Sequence, residues 1–274
     1  MPNHVTNEIH VIGGTKKQRL SFIKKVTNKY GWFDFNKIRQ RPKSMDIEEN
    51  GAVRRMSAIL AGEPVYDLGF DELKTPEQVE LFLREHGNTC KEIQRIKELA
   101  QIRLENYRRY GCYSWYDWSN AHWGTKWNAY DVEMPVKFVK PRIKLGHKRR
   151  PTHVRTYNKR IFKKRLARHA ASGGELIIRF NTAWNMPKPI YIELANLFPH
   201  LSFEVYYADE DLGSNCGHVF LNAGKWIAAY IAPSYHDQSP NQRLYWRRFA
   251  FELYHPDKTP QDYGMDENYN YLDD

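Results

Sequence analysis

The side chains that could do chemistry in this chain are first of all its cations. Between Glu133 and Glu175 there is no acidic residue, while the same window holds fourteen Lys and Arg. Among them are Lys144, Lys148, Arg149, Arg150, Arg155, Lys159, Arg160, Lys163, Lys164, Arg165 and Arg168. Outside the window the balance is 28 basic against 32 acidic residues, so the net charge of +10 belongs to one local element. A run of one sign repels itself unless an anion neutralises it, and Lys or Arg placed on phosphates release condensed counterions. Residues 136–168 are therefore expected to form a basic arm that meets DNA or RNA. An acidic protein surface, or the chain's own acidic C-terminus at 255–274, are the other partners this charge admits. Few apolar or amide side chains accompany the cations, which points to phosphate contact with little base readout.

A second constellation is aromatic: Trp115, Trp118, Trp123 and Trp127 fall within thirteen residues. Indole faces beside Lys126 can stack single-stranded bases. The same residues can instead plug one edge of a sheet and pack on Trp184, with Asp117, Asn120 and Asn128 bonding indole N–H groups and backbone. The remaining candidates are weaker. Asp117, His122 and Asp131 match no hydrolase or zinc spacing. His4 and His10 share a strand face by their even spacing, which reads as a polar sheet surface before it reads as a metal pair. Ser114 and Ser119 lack a nucleophile elbow, and Gly13-Gly14 lacks the continuation of a phosphate-binding loop. Three scattered cysteines, Cys90, Cys112 and Cys216, make neither a disulfide framework nor a zinc site. No catalytic residue, metal site or cofactor is expected.

The elements that must position these residues follow from periodicity. Val5–Ile12 alternates and ends at Gly13-Gly14, a strand and a turn; Thr15 then caps a helix carrying Leu20, Phe22, Ile23 and Val26. Trp32–Ile38, up to Pro42, reads as an extended aromatic segment along a surface groove. Residues 46–111 read as a helical insertion, with a helix start at Thr75-Pro76 and a second helix over 89–109. Ala129–Glu133 opens a strand into the arm, and Tyr157–His169 is compatible with a basic helix whose apolar stripe is Ile161, Phe162 and Leu166. Strands are expected over Glu175–Trp184 and Leu201–Tyr207, with a short helix over Ile190–Leu197 between them. His218–Leu221 and Lys225–Ala229 form a hairpin through Asn222-Ala-Gly224. This order is βαββαβ, the ferredoxin-like α+β sandwich, in one domain over 1–254 with insertions at 46–111 and 136–168. Residues 255–274 read as an acidic tail. Met1–Gly14 lacks the apolar run of a signal peptide, and no stretch approaches the ~20 apolar residues of a membrane span, so a cytoplasmic protein is expected.

The opening Met1-Pro-Asn-His-Val-Thr-Asn-Glu-Ile, the segment Phe33-Asp-Phe-Asn-Lys-Ile38, the block Trp115-Tyr-Asp-Trp with Trp123-Gly-Thr-Lys-Trp-Asn-Ala129, and Phe180-Asn-Thr-Ala-Trp184 resemble the YubB-type ferredoxin-like family. Its members are carried by plasmids, prophages and phages of bacteria. The resemblance implies a ferredoxin-like fold without an iron–sulfur cluster, carries over no catalytic residues, and leaves the basic insertion beyond the family pattern. It also implies a setting on mobile elements, where accessory proteins counter host defence or assist establishment. Two functions are expected from this: a non-enzymatic protein that binds nucleic acid through the arm, or an inhibitor that docks on a host defence complex.

Overall fold

The computed structural model describes residues 3–48, 50–63, 73–136 and 159–272. Strand β1 (His4–Ile12) places Val5, Asn7, Ile9 and Val11 on a buried face and Glu8 and His10 on the other, as period-two alternation requires. Helix α1 (Lys16–Val26) starts at a Thr15–Gln18 capping box and buries Phe22, Ile23 and Val26. After α2 (Phe35–Ile38) come α3 (Gly51–Ala61), α4 (Pro76–Glu85), α5 (Cys90–Tyr110) and α6 (Trp115–Trp123). The chain continues with β2 (Tyr130–Glu133), α7 (Lys159–Ala171), β3 (Leu176–Ala183), α8 (Lys188–Leu197), β4 (Ser202–Asp209), β5 (Gly217–Asn222), β6 (Lys225–Ile231) and α9 (Pro240–Tyr254).

The six strands form one antiparallel sheet in the order β2-β3-β1-β4-β5-β6. Its first four members have the ferredoxin-like order, and the β5–β6 hairpin extends the sheet beyond β4. The register aligns Ile178, Ile9, Val205 and Val219 as one buried row across four strands. Phe22 of α1 meets Phe203 of β4 and Phe198 at the end of α8, with ring centroids 5.8 and 5.3 Å apart. One sheet face is thus sealed by α1 and α8. At the hairpin turn, Ala223 and Gly224 both take positive φ, the geometry of the tight turn expected there.

The other sheet face is covered in part by α9, an element absent from the periodicity reading. Ser239 and Gln242 cap it in a box, Phe249 approaches Tyr206, and the carbonyls of Leu253 and Tyr254 accept from the Arg179 guanidinium. Residues 255–272 are not a free tail. Tyr263 and Tyr269 pack on Phe251, Met265 is buried and bridges to Tyr271, and Asp266 accepts from Asn270. Asp262 and Asp266 are thus engaged locally, with Thr259 and Asn270. A third correction concerns 32–38. Phe33 and Phe35 are core residues packed around Phe180, and Asp34 caps the short helix α2, so the segment is in part helical and anchors the core, while Trp32 and Asp34 line a surface groove.

Two compact units result: residues 1–40 with 122–274, and Arg41–Ala121. The second is helical, with Val53, Met56, Val79, Leu83, Ile93, Ile96 and Leu99 of α3, α4 and α5 forming its core. Among the described residues no helix is long and apolar enough to cross a membrane.

On the α9 side of the sheet, Glu8 bonds both His10 (2.6 Å) and Arg179 (3.3 Å). The His10 hydrogen bond, helped by the charges of His10 and Arg179, lowers the Glu8 pKa against the opposing pull of burial. The same hydrogen bond, with Glu8 and then Glu204 as negative neighbours, raises that of His10. A raised histidine stabilises the fold below its unfolded value and loses that contribution as pH rises through the folded value. A lowered carboxylate contributes above its unfolded value and loses it as pH falls through the folded one. The pair is therefore at full strength between about pH 4.3 and about 6.5, the ordinary values of the two groups. Thermal unfolding of wild type and Glu8→Gln across pH 4–8 should show the largest gap in that window and a smaller one above it; a gap independent of pH would contradict the pairing.

Candidate nucleic-acid interface

Of the expected arm, residues 137–158 lie outside the described residues, and with them Lys144, Lys148, Arg149, Arg150 and Arg155. Its C-terminal part is α7, which begins at Lys159. Phe162, Leu166 and Ala170 recur every four residues and are buried, while Arg160, Lys163, Lys164, Arg165 and Arg168 are exposed. Ile161, expected in the apolar stripe, instead points outward.

What α7 sits on is α1. Phe162 packs against Trp32 just beyond α1, with centroids 4.9 Å apart. Gly31, at φ +96°, lets the backbone pass under that ring, because a Cβ there would come within 2.8 Å of it. At the opposite end, the buried Arg19 of α1 donates from Nε to the Ala170 carbonyl (3.0 Å) and from its other nitrogens to the Gly13 and Gly174 carbonyls. A guanidinium there satisfies carbonyls at the end of α7 and complements the negative end of the helix dipole. The two contacts make α1 and α7 antiparallel neighbours. Lys24 and Lys163 line the same groove between them, with Leu20, Ile23 and Leu166 as its floor.

This adjacency enlarges the interface. Helix α1 exposes Lys16, Lys17, Lys24 and Lys25 and holds no acidic residue; α7 exposes five more cations and also holds none. Among the described residues none of these nine side chains has a carboxylate partner. The sequence reading missed the α1 lysines because they are close to α7 only in space. Nine unneutralised cations on two packed helices can hold the phosphates of a polyanion in a fixed array.

Two of the four tryptophans are closed to stacking. Trp118 is 4% exposed and Trp123 1%, so neither has a face for a base. Trp115 is half-buried and meets the Tyr116 ring edge-on. Trp127 is half-buried too, and Lys126 lies over both its ring (5.0 Å) and that of Trp184 (4.8 Å). The motifs around them converge to lock the fold. Trp123 donates its indole N–H to the Arg39 carbonyl (2.9 Å). Thr125 both donates to the Ala183 carbonyl (2.7 Å) and accepts from its N–H (3.1 Å), acting as one rung of a strand at the end of β3. Asn128 accepts from the Phe35 N–H (2.9 Å) and donates to Asp34 (2.8 Å). Beneath them Tyr191 donates to Asn7 (2.6 Å), and Asn7 donates to Thr182 (2.8 Å), a fully buried polar chain. Burial drives the Tyr191 pKa well up. Beside this junction a groove of about 400 Å³ is lined by Trp32, Asp34, Asn128 and Asp131. Its two carboxylates make it a poor phosphate site.

Several of the other candidates have partners of their own. His4 bonds the Tyr130 hydroxyl while His10 bonds Glu8. Asp117 accepts from the Tyr113 N–H, and Asp131 accepts weakly from Asn181. Burial, then Arg39, lowers the His122 pKa. Ser114 and Ser119 are buried, accepting from the Tyr116 N–H and Arg41. No cluster of three metal-ligating side chains exists among the described residues.

The run from α7 through α9 is also where the chain has a recognisable relative. Residues 161–257 match the ferredoxin-like domain in Api92-like protein. The match takes in α9, so that helix is part of the domain and not an appendage. Among solved structures, the crystal structure of protein api92 from Yersinia pseudotuberculosis aligns at 9% identity and a TM-score of 0.37, covering 85% of this chain and 99% of that one. No curated protein matches the chain.

Proposed function

We propose that this protein is a non-enzymatic nucleic-acid-binding accessory protein whose interface is the α1–α7 face together with the basic arm. The observation that carries the reading is the nine exposed cations on two adjacent helices that hold no carboxylate. Phosphates supply the complementary array, and the scarcity of amide readers on both helices favours binding with little sequence preference. The motif resemblance to the YubB-type family adds the setting: a plasmid, prophage or phage protein of the bacterial cytoplasm that serves counter-defence or establishment.

A second reading keeps the same face and changes the partner to an acidic surface of a host defence complex. Ile161, 55% exposed among the cations, favours it, since a protein partner would bury that side chain and a phosphate backbone would not. Purification of the full chain from host lysate with and without nuclease separates the two. Nucleic acid that co-purifies and is lost with nuclease supports the first. A protein partner retained after nuclease, with no nucleic acid recovered from the untreated sample, would overturn it.

A further inference from the structure

The two edges of the sheet are built differently. The β2 edge is four residues long, irregular in register, and carries exposed Asp131 and Glu133. Those are the devices that keep a strand edge from pairing with another chain. Among the described residues the β6 edge has no cover, and beyond Lys225 at its start it has no charge: from Trp226 to Tyr235 no residue is charged, and Ile227, Tyr230 and Ile231 are all exposed. A register shift at Phe220/Leu221 marks a bulge at the start of β6, and Pro233 follows its end. Between those two interruptions the regular stretch is 228–232, centred on Tyr230.

Hydrogen-bond alternation tells which groups face outward. Ala232 donates to the Cys216 carbonyl, so 216 and 232 are a hydrogen-bonded pair. In an antiparallel ladder such pairs alternate, which makes His218 and Tyr230 the next one. The N–H and C=O groups of Ala229 and Ile231 therefore point away from β5, and among the described residues nothing accepts or donates there.

The side chains on the α9 face add direction. Tyr206, His218 and Tyr230 are register partners on β4, β5 and β6, and their rings form a row. Tyr206 and His218 stack at 4.4 Å and 2°, and His218 and Tyr230 follow at 6.4 Å and 17°. The row stops at Tyr230, which is 66% exposed and ends it on the open side.

We infer that β6 pairs antiparallel with β6 of a second copy about a two-fold axis at Tyr230. That register sets Ala229 opposite Ile231 of the second copy, and each such pair exchanges two main-chain bonds, about four in all. Tyr230 then faces its own counterpart at the close-approach position and continues the ring row across the axis. A second copy fits where a charged strand would gain nothing, because the segment is neutral and its two halves complement each other under the two-fold. The blunted β2 edge makes the assembly a closed dimer and not a filament. A contact of one short strand is small, so association in the micromolar range is expected. The inference is independent of nucleic-acid binding.

Sedimentation of the full chain at about 1 to 100 µM tests it, on the order of concentrations where such contacts form. Wild type should shift from monomer to dimer across that range. Tyr230→Lys and Tyr230→Glu each set like charges face to face and should be monomeric throughout, with wild-type circular dichroism because the side chain is exposed. An equimolar mixture of the two variants should recover a heterodimer. A wild type that stays monomeric, a dimer that survives Tyr230→Lys, or a mixture that fails to dimerise would each overturn the inference.

Discussion

Lys163→Glu, Lys164→Glu and Arg165→Glu together are expected to weaken binding to duplex DNA on the order of 100-fold at ~0.1 M salt, and to lower the salt slope by about three. All three side chains are exposed on α7, and only the Lys163 stem lies along the α1–α7 groove, where a Glu still supplies methylenes, so the variant should melt close to wild type. The sharper case is α1. Lys16→Glu, Lys17→Glu, Lys24→Glu and Lys25→Glu leave the arm intact, yet they should weaken binding to a comparable degree. Arg19 and Phe162 hold α1 against α7, and that packing puts the two sets of cations on neighbouring helices, with Lys24 and Lys163 on one groove. If the α1 variant bound as tightly as wild type while the α7 variant failed, the interface would be the arm and α7 alone.

Trp123→Ala is expected to carry the largest stability loss of any single change in the tryptophan block, about 3–5 kcal/mol. The indole is 1% exposed, meets Phe35 at 5.8 Å, and spends its N–H on the Arg39 carbonyl. Removal leaves a cavity and an unsatisfied carbonyl in one step. Trp127→Ala should lose far less, because that ring is half-buried and lies beside Lys126 and Tyr130, both partly exposed. Denaturant unfolding of both variants checks the contrast. Equal losses would mean that the block is an undifferentiated plug.

Those two expectations mark where sequence reasoning reached and where it stopped. The strands β3 and β4 were legible because burial alternates along most of each and their sequences are rich in β-branched and aromatic residues. The charge of α7 was legible because it is a composition, independent of what the helix packs on. Residue type alone could not tell Trp123 from Trp127, since both indoles sit in the same short block and burial is decided by Phe35 and Arg39, far away in sequence. Helix α9 was hidden because Leu244 and Tyr245 are exposed while Trp246, Ala250 and Phe251 are buried, which blurs the apolar stripe. Its capping box at Ser239 and Gln242 was the signal available. The α1 lysines form two pairs about two turns apart, a pattern visible in sequence, but their union with α7 is a tertiary fact. The acidic residues after Tyr254 misled for the opposite reason. Charge suggested a solvated tail, whereas Tyr263, Met265 and Tyr269 among them supply the apolar anchors.

The most direct test of the nucleic-acid interface is a salt titration of the full chain against a labelled duplex, read by fluorescence anisotropy. Log affinity should fall linearly with log salt, with a slope of about 0.9 for each phosphate engaged and a reduced slope in both the α1 and the α7 variants. Undetectable binding to duplex and single strand alike at low salt, or an affinity that does not change with salt, would contradict the account.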